Sequence, residues 1–219
     1  MDVRKTLEAK GCIHSGHFVG TSGKHLSGYC NVDPLLPHVD IVRQMVGMIV
    51  TQFADKNVQT VVAPATGAIP LCHWGAHLLE EATGNPVLGV WADKVKPAGF
   101  AFERDGFLQA VHGKRVLILE DFINQMHSIR KVVNLVNEAG GELVGVGSIA
   151  SNKGVTAEAI GAPAYYKLCT VSYDAWTPED CAKKGLCAKH EPIIEDIGHG
   201  EEFKTRHPNY AGGYTRLLT

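Results

Sequence analysis

The sequence predicts an α/β protein with a mostly parallel sheet covered by helices on both faces. Three observations carry this. Apolar runs of strand length alternate with helical patterns through the middle of the chain, the signature of βαβ units. The stretch Arg115-Val116-Leu117-Ile118-Leu119-Glu120-Asp121 is an apolar run ending in two carboxylates, followed by a short turn and a helical pattern from Ser128. That order describes a strand, a loop and a helix N-terminus. Finally, 219 residues with 45% hydrophobic content suffice to bury the core of one domain with appendages.

The elements follow in order. Residues 1–36 read as a small N-terminal hood, 37–171 as the core and 172–219 as a C-terminal extension of one domain. Val39, Val42, Met45, Val46, Ile49, Val50 and Phe53 recur at helical spacing and predict an amphipathic helix from about Pro37 to Asp55. Val58 to Ala63 reads as a buried strand. Pro64-Ala65-Thr66-Gly67-Ala68 is a turn, and a helix runs on through Leu78 to about Thr83. Pro86 to Trp91 is the second strand. Lys94 to Gly113 is polar and weakly patterned, with Phe100, Phe102 and Phe107 spaced like a hairpin. Val116 to Leu119 is the third strand and Ser128 to Ala139 the next helix, ended by Gly140-Gly141. Leu143 to Ile149 and Ala164 to Val171 are two more strands with a short helix between. The tail from Ser172 carries no clear period.

Bulk properties exclude several classes. A net charge of -2 and a pI of about 6.6 provide no basic field, so nucleic acid is not an expected partner. No run approaches the roughly 18 apolar residues of a membrane span, and the start is unlike a secretion signal. Cys12, Cys30, Cys72, Cys169, Cys181 and Cys187 are scattered rather than framework-spaced, which fits reduced thiols in a cytoplasm. Cys181 and Cys187 are the only close pair. Zinc would need further ligands, with His190 and His199 nearby, and no metal ligand is assigned. His25, His112 and the three phenylalanines read as packing or surface.

In open α/β sheets ligands bind beyond the carboxyl ends of the strands, and loop amides with a helix dipole favour an anion there. Glu120 and Asp121 at such an edge suit sugar hydroxyls or a divalent cation. A phosphate cradle is normally rich in Gly and Thr, whereas this loop reads Asn124-Gln125-Met126-His127.

The segment Gly16-His17-Phe18-Val19-Gly20-Thr21-Ser22-Gly23-Lys24-His25, with Tyr29 and Asn31, resembles the N-terminal segment of orotate phosphoribosyltransferases. So do Ala63-Pro64-Ala65-Thr66-Gly67-Ala68-Ile69, Ala92-Asp93-Lys94, Gly113 to Asp121, and Pro178-Glu179-Asp180-Cys181, in that order over most of the chain. The resemblance implies a type I phosphoribosyltransferase fold and a homodimer. It implies transfer of the phosphoribosyl group of 5-phosphoribosyl 1-diphosphate to orotate, giving orotidine 5′-phosphate, with Mg2+ carried on the diphosphate. Glu120 and Asp121 then match the carboxylates that hold the ribose hydroxyls, and Thr66 and Gly67 the loop that meets diphosphate. Lys94 matches a mobile-loop lysine serving the leaving diphosphate, across the dimer in one arrangement. Lys24 matches a basic position beside the substrate.

Two departures stand against this pattern. Where the family has Thr-Thr-Gly-Gly before a serine, this chain has Asn124, Gln125, Met126 and His127 before Ser128, and the bulk of Met126 and His127 is expected where the phosphate should sit. Where the family has Asp-Arg, its arginine gripping orotate's carboxylate, this chain has Ser151-Asn152. That change removes a bidentate fork which Lys153 restores in charge but not in shape. Three readings follow: an orotate enzyme with a divergent loop, a catalytically silent relative kept as a binding or regulatory protein, and a phosphoribosyltransferase for another base.

Overall fold

A computed structural model describes residues 1–20, 22–97 and 99–217. Thr21 of the N-terminal motif, Ala98 and the last two residues of the tail fall outside the described residues. In chain order the strands are β1 (Ile13–Val19), β2 (His25–Cys30), β3 (Thr60–Pro64), β4 (Leu88–Val95), β5 (Gly99–Ala101), β6 (Arg115–Ile123), β7 (Glu142–Asn152), β8 (Tyr165–Val171), β9 (Ala175–Trp176), β10 (Ile193–Ile194) and β11 (Tyr214–Thr215). The helices are α1 (Val3–Ala9), α2 (Val39–Val50), α3 (Ile69–Thr83), α4 (Phe107–Val111), α5 (His127–Glu138), α6 (Ala157–Ile160), α7 (Pro178–Lys184) and α8 (Gly200–Arg206). They belong to two compact units, residues 1–10 with 32–171, and residues 11–31 with 172–219. The expected hood therefore divides: its first ten residues pack with the core, and its hairpin packs with the C-terminal extension.

The larger unit is the α/β body. Its six strands lie in the order β5-β4-β3-β6-β7-β8, all parallel except β5, which pairs antiparallel with β4. That hairpin is the antiparallel excursion expected of the segment after Lys94. Alternation along the strands assigns the faces. Val61 and Leu119 lie against Gly75 of α3, whereas Val62 and Ile118 pack with Ile129, Val132, Val133 and Val136 of α5. Each such side chain, buried, contributes about 1.5–3 kcal/mol. On the first face α2 approaches β7 closely because two strand residues lack a side chain. A Cβ at Gly147 would lie 2.2 Å from Cγ2 of Ile49, and one at Gly145 would lie 2.3 Å from the Phe53 ring.

Two boundaries differ from expectation in a way that matters below. Strand β6 does not stop at Leu119, because Phe122 and Ile123 continue the ladder opposite Ala150 and Ser151 of β7. Helix α2 ends at Val50, and the chain goes on as a 3-10 turn, Thr51–Lys56, closed by Asn57 in the left-handed region.

The smaller unit holds a mixed sheet in the order β11-β10-β1-β2-β9, with β1 and β2 antiparallel and β10 parallel to β1. Phe18, Leu26 and Ile194 form its hydrophobic cluster, with Tyr29, Tyr173 and Ile197 against it. Among the described residues no helix is long and apolar enough to cross a membrane.

Candidate active site

The chain leaves β3 towards β4 on one side and leaves β6 towards β7 on the other. The point where the connections diverge lies between the carboxyl ends of β3 and β6, where open α/β sheets bind ligands. Two sequence motifs meet there. The turn after β3 carries Thr66 and Gly67, with a cis peptide bond between Ala65 and Thr66, and Thr66 is exposed. A Cβ at Gly67 would lie 2.5 Å from Oδ2 of Asp121 and 3.4 Å from Oδ1 of Asp33. Glycine at this position is what lets the Asp121 carboxylate rest against the turn.

Glu120 and Asp121 lie within β6, not at its tip. Each carboxylate accepts a hydrogen bond from the next amide: Asp121 N–H donates to Glu120 Oε1 at 3.1 Å, and Phe122 N–H to Asp121 Oδ1 at 2.6 Å. Glu120 is buried. Burial pushes its carboxyl well above the ordinary carboxylate range, and the neighbouring Asp121 charge adds to the rise, while Lys94 acts the other way. Lys94 is exposed on β4, within a strand rather than a loop. Opposite Glu120 on β7 sits Ser148, whose hydroxyl is 2.7 Å from the Tyr165 hydroxyl. Burial raises the Tyr165 phenol, with Ser148 and Ser151 pulling it back.

The loop after β6 keeps the path of a glycine loop without the glycine. Met126, which caps α5, has φ 61° and ψ -5°, the left-handed region that favours glycine, at the position where the family has one. Its side chain packs against the core cluster on the α5 face. Met126 is expected to put bulk where the phosphate should sit; in the structure its half-buried side chain lies against apolar neighbours. Asn124, Gln125, His127 and Ser128 are exposed at the start of α5. The second departure touches the first, since Asn152 Nδ2 donates to Asn124 Oδ1 at 3.1 Å while Asn152 Oδ1 accepts from Lys153 N–H at 2.7 Å.

Of the residues singled out in the sequence, the structure groups Thr66, Gly67, Lys94, Glu120 and Asp121, and it joins Asn152 to the Asn124–Ser128 loop. Lys24 is exposed in the turn before β2 and belongs to the smaller unit. Phe100, Phe102 and Phe107 pack against the core, as expected. Asp33, Ser148 and Tyr165 were missed. The paired hydroxyls lie on neighbouring strands and leave no local pattern, while Asp33 lies in a short 3-10 turn, Asp33–Leu35, that has no period to read. His25 is neither surface nor simple packing, because it is buried beside His17, Cys181 and Cys187 in the smaller unit, whereas His190 and His199 are not part of that cluster.

The chain is 30% identical over 191 residues to the orotate phosphoribosyltransferase of Desulforamulus reducens, covering 84% of this chain and 90% of that one. It is 31% identical over 190 residues to the orotate phosphoribosyltransferase of Pelotomaculum thermopropionicum, covering 83% and 91%. The crystal structure of orotate phosphoribosyltransferase from Aeropyrum pernix superposes with a TM-score of 0.59 at 18% identity, over 84% of this chain and 97% of that one, a likeness of fold. No protein-family model matches the chain.

Proposed function

The chain belongs to the orotate phosphoribosyltransferase family, and we propose on that footing that it transfers the phosphoribosyl group of 5-phosphoribosyl 1-diphosphate to orotate. The observation that carries this reading is the meeting of the β3 turn with the β6 acids at Gly67 and Asp121. In the reaction a bond forms between an orotate nitrogen and the anomeric carbon while the bond from that carbon to diphosphate breaks, giving orotidine 5′-phosphate and diphosphate.

Each part of the edge has a role in this scheme. Asp121, held by the Phe122 amide and seated on Gly67, accepts a ribose hydroxyl. Glu120, driven towards its protonated form by burial, offers a hydroxyl donor as well as an acceptor, which suits a second sugar hydroxyl. The Thr66–Gly67 turn meets the diphosphate, and the Lys94 ammonium balances the charge that grows on it as it leaves. The start of α5 and the amides from Asn124 to Ser128 take the 5-phosphate. Asn152 faces the base with an amide where the family has a guanidinium, and Lys153 adjoins it.

Mg2+ would arrive on the diphosphate, and the Asp121 and Asp33 carboxylates that approach Gly67 would offer it hard oxygen ligands. Bound there, Mg2+ would neutralise diphosphate charge and make it a better leaving group. The reading includes a homodimer and a cytoplasmic location; the six free cysteines fit a reducing compartment.

The test is turnover of orotate with 5-phosphoribosyl 1-diphosphate and magnesium, followed by product chromatography, with sedimentation of the same sample. Formation of orotidine 5′-phosphate that is lost in Asp121→Asn supports the assignment. A folded chain that binds the sugar diphosphate but converts no orotate would overturn it.

A further inference from the structure

The smaller unit contains four metal-ligating side chains from two distant parts of the sequence. His17 lies on β1, His25 opens β2, Cys181 lies in α7, and Cys187 opens the 3-10 turn Cys187–Lys189. One donor atom from each lies within 4.8 Å of all the others. His17 Nε2 is 2.6 Å from His25 Nδ1 and 3.8 Å from each of the two sulfurs, and Cys187 Sγ is 3.3 Å from His25 Nδ1. Around a tetrahedral zinc ion, with bonds of about 2.0 Å to nitrogen and 2.3 Å to sulfur, neighbouring donors stand about 3.3–3.8 Å apart. The two imidazoles would have to separate by about 0.7 Å, and the distances from His17 Nε2 to both sulfurs and from His25 Nδ1 to Cys187 Sγ lie at 3.3–3.8 Å.

The surroundings orient three of the donors, while His25 Nε2 is buried with no hydrogen-bond partner among the described residues. His17 Nδ1 is 3.0 Å from the Glu191 carbonyl, an acceptor, so this nitrogen carries the proton and Nε2 presents its lone pair to the cluster, the usual outer-shell arrangement of a metal-binding histidine. The Cys187 amide donates to Cys181 Sγ at 3.2 Å, which favours a thiolate. Gly185 permits the turn between them: a Cβ there would lie 2.9 Å from Cys181 Sγ and 3.0 Å from the Trp176 ring. His17, His25 and Cys181 are buried, and the Phe203 ring stands edge-on to His25 at 5.1 Å. A set of four protein donors, three of them buried and Cys187 partly exposed, leaves no ligand position for substrate, which marks a structural rather than a catalytic centre.

We propose that this unit binds one zinc ion through His17, His25, Cys181 and Cys187, and that the ion staples the N-terminal hairpin to the C-terminal extension. Two thiolates and two neutral imidazoles cancel the charge of Zn2+, and binding releases the two thiol protons. Thiolate and imidazole select zinc over the magnesium that accompanies a diphosphate. The need is visible in the fold. A unit of about 70 residues whose hydrophobic cluster rests on Phe18, Leu26 and Ile194 has too thin a core to hold together unaided, the situation in which small units take a metal or disulfides. His17 and Cys181 are 164 residues apart in sequence, so the cross-link closes a very long loop.

Metal analysis of the full-length protein, purified without chelator under reducing conditions, should find one zinc per chain. Cobalt exchanged into the site should show the strong visible bands of tetrahedral cobalt bound to thiolate. Cys181→Ser/Cys187→Ser should abolish both. If that variant fails to fold, titrating the unaltered protein with a chelator gives an independent reading: zinc should leave together with a loss of protease resistance in residues 11–31 and 172–219. Protein with all six thiols reduced, no bound metal and no stabilisation by added zinc overturns the proposal. So does iron or copper at that stoichiometry, or a Cys181–Cys187 disulfide in the isolated protein.

Discussion

Replacing Met126 separates two effects that coincide in the phosphate loop. The left-handed conformation of Met126 costs a residue with a Cβ about 1–2 kcal/mol relative to glycine. Against that stands the half-buried side chain on the core cluster, worth about 1 kcal/mol, roughly half the value of a fully buried apolar side chain. Met126→Ala keeps the strain and loses the packing, so it should cost about 1 kcal/mol. Met126→Gly loses the same packing and a further 0.4–1 kcal/mol or so to the freedom of the unfolded chain, but it regains the strain, and its stability should be close to that of the unaltered protein. The expected order is therefore glycine above alanine, by about 0.5–1 kcal/mol, measured by urea unfolding at constant m. An alanine variant as stable as the glycine variant would refute the strain argument.

The same pair of variants tests where the side chain points. Because Met126 packs on the core, Met126→Gly should change affinity for 5-phosphoribosyl 1-diphosphate by less than about threefold, or about 0.7 kcal/mol. Binding that tightens tenfold or more by calorimetry would mean that the methionine does obstruct the phosphate.

Gly67→Ala sets a methyl 2.5 Å from Asp121 Oδ2; the carboxylate must move, and kcat should fall at least tenfold while the melting temperature changes little, whereas unchanged turnover would remove Asp121 from the chemistry. Glu120 has its folded pKa raised above the ordinary 4.5, so its contribution to stability is complete below that value and is lost as pH rises through the folded pKa. Glu120→Gln should accordingly raise the melting temperature at pH 8 more than at pH 5, and an equal shift at both would show that Glu120 is not held protonated. Asn152→Arg should lower KM for orotate, by about tenfold if a charge-assisted contact worth 1.5–3 kcal/mol is partly recovered, at some cost in loop order because the hydrogen bond to Asn124 is lost. An unchanged KM would place the orotate carboxylate elsewhere.

Much of the fold was legible because the body is built from long periodic segments. The apolar runs at Val58, Val116 and Leu143 and the helical spacing from Val39 and from Ser128 all appear as β3, β6, β7, α2 and α5. What could not be read depends on pairing between segments. Strand β6 runs on past the acids only because β7 offers Ala150 and Ser151 as partners, and nothing local in Phe122-Ile123 says so. The tail lacked periodicity because its strands are two residues long, β9 and β10 held by β2 and β1 and β11 by β10. For the same reason its cysteines found unexpected companions. His190 and His199 are near Cys187 in sequence, whereas His17 and His25 are near it in space.

The candidate site follows the same division. The carboxylates and the Thr66–Gly67 turn stand out as composition, but the left-handed turn at Met126 does not. A family glycine at position 126 does two things: it permits a left-handed turn, and it keeps a side chain away from the anion. Met126 adopts the left-handed turn in spite of its Cβ, and its side chain packs on the core cluster. The neighbouring change is not independent, since Asn124 and Asn152 are hydrogen-bonded to each other. Positions 124 and 152 are therefore coupled through that hydrogen bond, and under the proposed function this links the loop after β6 to the base position. Their energies should be non-additive: the double change Asn124→Thr/Asn152→Arg should bind both substrates better than the two single changes together suggest. Strict additivity would dissolve the coupling.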